Sequence, residues 1–291
     1  MRNINCRYKL FFRCGRALAV ALVVPAILST GYANFCLAQE VGQEDFRSPE
    51  EASHALFLAV QNHDEGAMMR VLGAGKELIS TDDETEDKLA REQFMRKYEQ
   101  MHRLVPDANG LMLLYVGAEN WPFPTPLVSL HGRWHFDARA GMEEVLLRRI
   151  GENELSALQV CHAHVGTQSA ARPAPPYEYA SVAALLDYLA YGGPAVAFQG
   201  YYFQRLESAG KKWVPAGSGA VGDGKITDRF AFVAFPAEYG STGIVTFVVS
   251  RDGAVYEKDL GPSTTTSAAA MSEEHAIDAT WHRIDEIDLP G

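Results

Sequence analysis

The stretch from His135 to Glu154, HFDARAGMEEVLLRRIGENE, brings together side chains that could carry chemistry. His135 and Asp137 are two residues apart in a strand-like segment, so both side chains point to the same face of a strand. A histidine beside a carboxylate can serve as a general base or as part of a metal site. A metal site needs a third ligand, which the pattern does not supply, so we predict no metal here. The alternative interpretation is a pair of polar residues on the solvent-facing side of a half-exposed strand.

The second half of this stretch has the charge spacing of a helix surface. Glu144, Arg148 and Glu152 are each four residues apart, and Arg149 lies three residues before Glu152. Pairs with this spacing stabilise a solvated helix by only about 0.3 kcal/mol each. Arg148 and Arg149 therefore remain weak candidates for a binding or catalytic site.

Glu154 is the residue that a solvated helix face does not explain. It lies one helical turn from both Ile150 and Leu158, on the stripe that is expected to be buried. A buried carboxylate needs a partner, or its pKa rises. Glu154 is either a general acid or base, or an acceptor that anchors a strand or loop by hydrogen bonds. We favour the anchoring interpretation.

A glycine-rich segment, GSGAVGDGKI at 217–226, contains the spacing of a nucleotide-binding loop. Such loops follow a strand and open a helix, whose N-terminus holds the phosphate. Here the next segment, DRFAFVAF, has a strand pattern, and Ile226 stands where a phosphate-binding loop needs Ser or Thr. We therefore predict a flexible loop between two strands and no cofactor.

Cys161 is followed directly by His162, which permits a nucleophile and its base. The other three cysteines, Cys6, Cys14 and Cys36, all lie in the N-terminal segment. Once that segment is removed, no disulfide can form within the chain. We favour a small, buried helix residue for Cys161, since unpaired cysteines are among the most buried residues in proteins.

The N-terminal segment has the pattern of a secretory signal peptide. Five basic residues precede an apolar run of 13 residues from Ala17 to Ser29. A helix that spans a bilayer needs about 20 apolar residues, so this run is short for a membrane anchor. Small residues predict cleavage after Ala38, with Ala33 as an alternative. We expect a signal peptide over 1–38 and an exported protein, either periplasmic or secreted.

Removal of residues 1–38 makes the chain strongly acidic. The segment contains five of the 26 basic residues and none of the 37 acidic ones, so the net charge changes from −11 to −16. Such a surface repels phosphate backbones, which argues against binding to nucleic acid. No other apolar run is long enough to span a membrane. The partner is expected to be an unknown envelope protein or a small ligand.

The region 39–138 is predicted to contain helices and a β-hairpin. Ser48, Pro49 and Glu51 have the pattern of a helix N-terminus, and Gly73 ends a second helix. A third helix is predicted over 81–104, with an apolar stripe at Ala90, Phe94, Tyr98, Met101 and Val105. LMLLYVG reads as a strand, and PLVSLHGRWHF reads as a hairpin that turns at His131-Gly132.

The region 139–291 is predicted to contain a long helix packed on an antiparallel sheet. The helix runs from about Ala140 to Gln168, with an apolar stripe at Leu147, Ile150, Leu158, Cys161 and Val165. About four strands follow, with a hairpin turn at Asp252-Gly253. PSTTTSAAA is predicted as a loop and SEEHAIDATWHRIDEI as a closing helix. The fold class is α+β: N-terminal helices plus a hairpin, then a long helix on a β-meander.

Four long motifs and a closing Trp281 occur in order along the mature chain: ENWPFPTPLV, GRWHFDARAGMEEVLLRRIGENEL, GYYFQRL and FAFVAFPAEYGSTGIVTFVVSRDGAVYEKDLGP. Together they resemble the bacterial family called domain of unknown function 2950. The resemblance implies an exported bacterial protein. It implies no activity, because none is established for the family.

A looser similarity concerns the region 139–291 alone. A long helix followed by an antiparallel meander is similar to the globular part of type IV pilins and pseudopilins. Since one fold serves many functions, this similarity bears on the fold only.

Two functional hypotheses follow from the sequence. The favoured one is a non-enzymatic interaction or assembly module of the cell envelope, because no complete catalytic set is found. The alternative is a periplasmic hydrolase or small-ligand-binding protein. Its site would draw on weak candidates in the first stretch, namely His135, Asp137, Arg148, Arg149 and Glu154.

Overall fold

The computed structural model describes residues 42–75, 78–80, 83–166, 181–191, 194–206, 231–251, 253–272 and 277–284. Helices and antiparallel sheets make up these residues, which confirms the predicted α+β class. The chain divides into two compact units between Leu147 and Arg148, inside the fourth helix. The glycine-rich segment 217–226 lies outside the described residues. No helix in the described part of the chain is long and apolar enough to cross a membrane.

Unit 1 begins with three helices, α1 (Pro49–Gln61), α2 (Glu65–Leu72) and α3 (Glu84–Gln100). The Ser48 hydroxyl accepts a hydrogen bond from the backbone N–H of Glu51 at 3.2 Å, which confirms the predicted cap. Gly73 ends α2 with a φ of 68°, a left-handed conformation that glycine adopts without strain.

The third helix ends earlier than the sequence predicts. Met101 has an extended backbone, and the next residues form strand β1 (His102–Pro106). The predicted helix to residue 104 is therefore wrong, and Met101 and Val105 do not belong to its apolar stripe. Pairing of β1 with a second strand replaces the helical hydrogen bonds, and this long-range pairing overrides the local pattern. Ala90, Phe94 and Tyr98 are buried, as predicted.

The sheet of unit 1 contains β1 and four further strands, β2 (Met112–Val116), β3 (Trp121–Pro122), β4 (Leu127–Leu130) and β5 (Arg133–Phe136). The strand order is β1-β2-β4-β5, and β3 also pairs with β2. The hairpin turn between β4 and β5 is confirmed, since His131 and Gly132 both have positive φ. The three helices pack on this sheet in one apolar core.

A short segment before α1 covers the outer edge of β5. Phe46 and Trp134 exchange two backbone hydrogen bonds of 2.8 Å each. Gln43 donates its side-chain amide to the carbonyl of Phe136 at 2.7 Å. This edge of the sheet is therefore closed by the chain itself.

Unit 2 contains the later part of α4 (Ala138–Gly166) together with α5 (Val182–Tyr191). Its sheet has six antiparallel strands in the order β11-β10-β9-β8-β7-β6. Their bounds are β6 Val196–Phe198, β7 Tyr201–Arg205, β8 Phe232–Pro236, β9 Val245–Val249, β10 Val255–Asp259 and β11 His282–Ile284. The sheet has two strands more than the predicted four, because AVAFQGYYFQRL forms two strands that turn at Gln199-Gly200 and because the C-terminal segment adds β11.

Two C-terminal predictions are wrong. PSTTTSAAA forms a 3₁₀ turn (Gly261–Ser263) and the short helix α6 (Thr264–Ala269) rather than a loop. The described part of the predicted closing helix contains β11, which pairs with β10. In both cases, apolar side chains pack on the sheet: Ala268 from α6, and Ile277 and Trp281 from the tail.

Both faces of this sheet are covered. Side chains of α4 and α5 pack against one face, in a core that includes Val160, Cys161, Leu185, Phe203 and Phe247. On α4, Ile150 and Cys161 are buried as predicted. Leu147 was predicted on the same stripe but is 60% exposed. That prediction fails because α4 serves two cores: its first part buries Val145 in unit 1, on another stripe of the helix.

Candidate functional site

The polar contact between α4 and the loop that joins β8 to β9 is the candidate site, and it lies within unit 2. Glu154 carries it. One carboxylate oxygen of Glu154, Oε1, accepts hydrogen bonds from the backbone N–H of Ile244 at 2.9 Å and of Val245 at 3.0 Å. One carboxylate oxygen thus satisfies two backbone donors at the point where the loop enters the sheet. The anchoring interpretation of Glu154 predicted this contact, and the structure shows it.

Tyr201 on β7 holds the same point of the loop from the sheet. Its hydroxyl donates to the carbonyl of Val245 at 2.7 Å. Burial and the nearby charge of Glu154 both raise the pKa of Tyr201, so the hydroxyl keeps its proton and remains a donor. Val245 is thus bound at its N–H by Glu154 and at its carbonyl by Tyr201, and β9 begins at this residue.

Two further side chains of α4 bind the tip of the loop. Arg149 donates to the carbonyl of Ser241 at 2.8 Å, and Asn153 donates to the carbonyl of Thr242 at 2.8 Å. Thr242 is itself buried, and its hydroxyl accepts from the backbone N–H of Glu238 at 3.0 Å. Arg149, Asn153 and Glu154 thus bind backbone groups of four residues between 241 and 245, so their polar groups order the backbone that leads into β9.

Glycine is required where the ring of Tyr201 meets the loop. A Cβ atom at Gly243 would lie 2.3 Å from the hydroxyl oxygen of Tyr201. A Cβ atom at Gly200, on the neighbouring turn, would lie 2.4 Å from the amide nitrogen of Asn153. These are close approaches that no other residue type permits without a shift of its neighbours.

The first pair of candidates, His135 and Asp137, belongs to unit 1. His135 lies on β5 and is only 3% exposed, so the alternative of a solvent-facing strand position is wrong. Burial lowers the pKa of His135, and the carboxylates of Asp137 and Asp45 act in the opposite direction. Asp137 caps α4: its Oδ1 accepts from the backbone N–H of Ala140 at 3.0 Å.

Two further candidates, Arg148 and Cys161, also lie on α4. Arg148 is half-buried on α4. Cys161 is fully buried, as favoured from the sequence, and burial raises the pKa of its thiol. A thiol that keeps its proton is a poor nucleophile. The part of the chain that the structure describes contains no group of three or more His, Cys, Asp or Glu side chains placed to hold a metal ion.

A family model described as "Protein of unknown function (DUF2950)" matches residues 43–180 and 182–284, which is most of the chain. The chain belongs to this family. The match confirms the resemblance seen in the sequence motifs. No curated protein and no solved structure matches the chain. The pilin-like layout therefore stays a prediction from the sequence.

The DUF2950 matches contain both sides of the α4–loop contact, with Glu154 in the first and Tyr201 and Gly243 in the second. In this DUF2950 protein, Arg149 and Glu154 could be singled out from the sequence, whereas Tyr201, Asn153 and Gly243 could not be recognised as parts of the same contact. The two glycines of EYGSTG and the glycine of QGYYF indicated only turns. Nothing in their spacing indicates which side chain approaches them.

Proposed function

We propose that this DUF2950 protein is exported and acts in the cell envelope as a non-enzymatic interaction or assembly module. The basic and apolar pattern of residues 1–38 supports export. The loss of that segment would leave an acidic protein that stays in the periplasm or is secreted.

The proposal that the protein is not an enzyme is supported by the hydrogen bonds of Glu154. A general acid or base must reach a substrate proton within hydrogen-bond distance. Glu154 instead directs Oε1 to two backbone N–H groups at the start of β9. Arg149 and Asp137 likewise bind backbone groups of the fold. Three of the five side chains behind the enzyme hypothesis, Glu154, Arg149 and Asp137, therefore bind the backbone of the fold.

Export is tested with the full chain carrying a C-terminal epitope tag in a Gram-negative host. We expect the tagged protein in the periplasm or the medium, with its N-terminal sequence beginning at Gln39 or Asn34. Leu22→Arg, which interrupts the apolar run, is the matched control and should leave the full-length chain in the cytoplasm. Recovery of full-length wild-type protein in the cytoplasm would contradict export.

Catalysis is tested on purified mature protein with chromogenic ester, phosphate, peptide and glycoside substrates. We expect no turnover above that of a Glu154→Gln variant. In parallel, chemical crosslinking in intact cells should give a defined adduct that is absent with Leu22→Arg. A turnover that Glu154→Gln abolishes in a folded protein would support the alternative, a periplasmic hydrolase, and overturn the present proposal. Saturable binding of a small molecule without crosslinked protein would support a ligand-binding protein instead.

A further inference from the structure

The sheet of unit 1 has one closed edge and one open edge. Phe46 pairs with β5 and closes that side. On the other side, β1 pairs with β2 and with no other described segment. A sheet edge presents unpaired backbone groups that can pair with another chain.

The flanking hydrogen bonds show which groups of β1 point outward. The backbone N–H of Gly117 donates to Met101, and that of Asp107 donates to Leu111. Hydrogen-bonded pairs in an antiparallel ladder alternate, so residues 101, 103, 105 and 107 are hydrogen-bonded to residues 117, 115, 113 and 111 on and beside β2. On β2, Leu114 accepts from Phe123 on the opposite side, which agrees with this alternation.

Residues 102, 104 and 106 therefore direct their backbone groups away from the sheet. His102 and Leu104 each present an N–H and a carbonyl, whereas Pro106 presents a carbonyl alone. No described residue forms a backbone hydrogen bond with these groups. The open edge thus has two donors and three acceptors.

This edge stands out from the edges of the other sheet. The edge strands of unit 2, β6 and β11, have three residues each, and short edges are one way in which proteins avoid unwanted pairing. β1 has five residues, and His102 and Arg103 are exposed. The ring of His102 stacks on Tyr98 with centroids 3.9 Å apart, which fixes the first residue of the strand.

We propose that β1 pairs antiparallel with β1 of a second copy of this chain, across a two-fold axis at Leu104. In this register Leu104 faces Leu104 of the other copy, and each donates its N–H to the other's carbonyl. His102 faces Pro106 of the other copy, where its N–H meets a carbonyl. Each outward N–H group then has an acceptor, which gives four hydrogen bonds across the axis, whereas the carbonyl of His102 receives none because Pro106 of the other copy has no N–H. A self-complementary patch of this kind is what a two-fold interface requires.

The positive charge of Arg103 favours the same register, centred on Leu104. Pairing about Leu104 places Arg103 opposite Val105 of the other copy, so the two cations are not directly opposed. A register centred on Arg103 would put two guanidinium groups face to face, which destabilises a cross-strand pair. The guanidinium of Arg103 already lies 5.2 Å from the ring centroid of Tyr115, on its own sheet. Because edge pairing alone buries little surface, we expect a weak dimer, seen at concentrations on the order of 100 µM.

Sedimentation velocity of the mature protein over a concentration series tests this proposal, with two variants of one residue. Leu104→Ala shortens the side chain and keeps the N–H. Leu104→Pro also shortens the side chain and, in addition, removes the backbone N–H. This N–H points away from the sheet of its own protomer, so its loss does not break a hydrogen bond within that sheet. We expect Leu104→Ala to dimerise and Leu104→Pro to raise the dissociation constant at least about tenfold, because two intermolecular hydrogen bonds are lost.

Amide hydrogen exchange of the wild-type protein gives a second readout that does not depend on a variant. The N–H groups of His102 and Leu104 should exchange more slowly as protein concentration rises. A monomer at every concentration, or a dimer that Leu104→Pro leaves intact, would overturn the proposal. Protection of these amides only after addition of an unrelated extended peptide would also overturn the proposal. It would indicate that β1 pairs with a peptide and not with a second copy of the chain. None of these results depends on export or on the absence of catalysis.

Discussion

At the scale of single residues, Glu154 is expected to contribute to stability through its two backbone hydrogen bonds. Glu154→Ala leaves the N–H groups of Ile244 and Val245 without their acceptor, at a cost of about 2 kcal/mol or more. Glu154→Gln retains one acceptor oxygen and should lose less. Urea unfolding followed by circular dichroism measures both. Glu152→Ala, at an exposed position on the same helix, is the control. An unchanged midpoint in Glu154→Ala would remove the anchoring role.

His135 gives unit 1 a pH-dependent stability of predictable sign. Burial lowers the pKa of His135 in the folded state, against the opposing effects of Asp137 and Asp45. The unfolded chain, with a histidine pKa of about 6.5, then binds the proton more tightly than the folded chain. The contribution to stability is full above that value and is lost as the pH falls through the folded-state pKa.

We therefore expect the urea midpoint of the wild type to fall between pH 8 and pH 5 more steeply than that of His135→Gln. His131→Asn is the matched control. His131 is an exposed histidine at a left-handed turn position that asparagine also tolerates. If His135→Gln and the wild type fall with the same slope, His135 does not carry this dependence.

Local sequence patterns predict the conformation of some single residues but not their distant partners. The cap at Ser48 and the turn at His131-Gly132 were predictable because both are local patterns. The acceptor role of Glu154 was predictable as a class, from its position on an apolar stripe. Its partners were not, because Ile244 lies 90 residues further along the chain. Only the packed sheet brings them together.

At the scale of elements, a substitution at Gly151 can stabilise the long helix α4 without altering any contact of the helix with its neighbours. Gly151 lies in the helix, and a Cβ atom there would meet nothing within 4 Å. Gly151→Ala should therefore raise the free energy of unfolding by about 0.5–1 kcal/mol, since alanine is the better helix former. Thermal unfolding measures the gain. A lower midpoint would mean that α4 needs the flexibility of glycine at this point.

The turn at the start of β9 should respond in the opposite way to the same substitution. Gly243→Ala places a Cβ atom 2.3 Å from the hydroxyl oxygen of Tyr201, which must then move away from the carbonyl of Val245. We expect a loss of about 1–3 kcal/mol, as for other overpacked sites. Gly151→Ala is the matched glycine control. Equal stability of Gly243→Ala and the wild type would show that the loop adapts at little cost.

Element boundaries were the weaker part of the sequence prediction, for a physical reason. Residues 102–104 continue the helical pattern of α3, yet they pair with β2 and form the first part of β1. The segment SEEHAIDATWHRIDEI has a helical spacing, yet Trp281 and Ile277 pack on the sheet beside β11. In each case a long-range partner, absent from the local sequence, decides the element.

At the scale of the whole molecule, the two units have separate apolar cores on one continuous chain. Phe136 is fully buried in the core of unit 1, and Phe203 is fully buried in that of unit 2. The predicted long-helix stripe failed at Leu147 because one helix serves both cores. A stripe drawn along the whole of α4 therefore describes neither part of it.

Separate cores predict that a core defect in one unit loosens mainly that unit. Phe203→Ala and Phe136→Ala each remove a fully buried ring, at a cost of about 3–5 kcal/mol. Amide exchange at low denaturant should accelerate across β7, β8 and β9 in Phe203→Ala, while amides of β2 and β4 keep their protection. Phe136→Ala should give the reverse pattern. Each variant is the control for the other, because both lose one buried phenyl ring and differ only in the unit that loses it. If either variant removes protection from both sheets together, α4 couples the units into one cooperative structure, and the division at Leu147 does not describe how the protein unfolds.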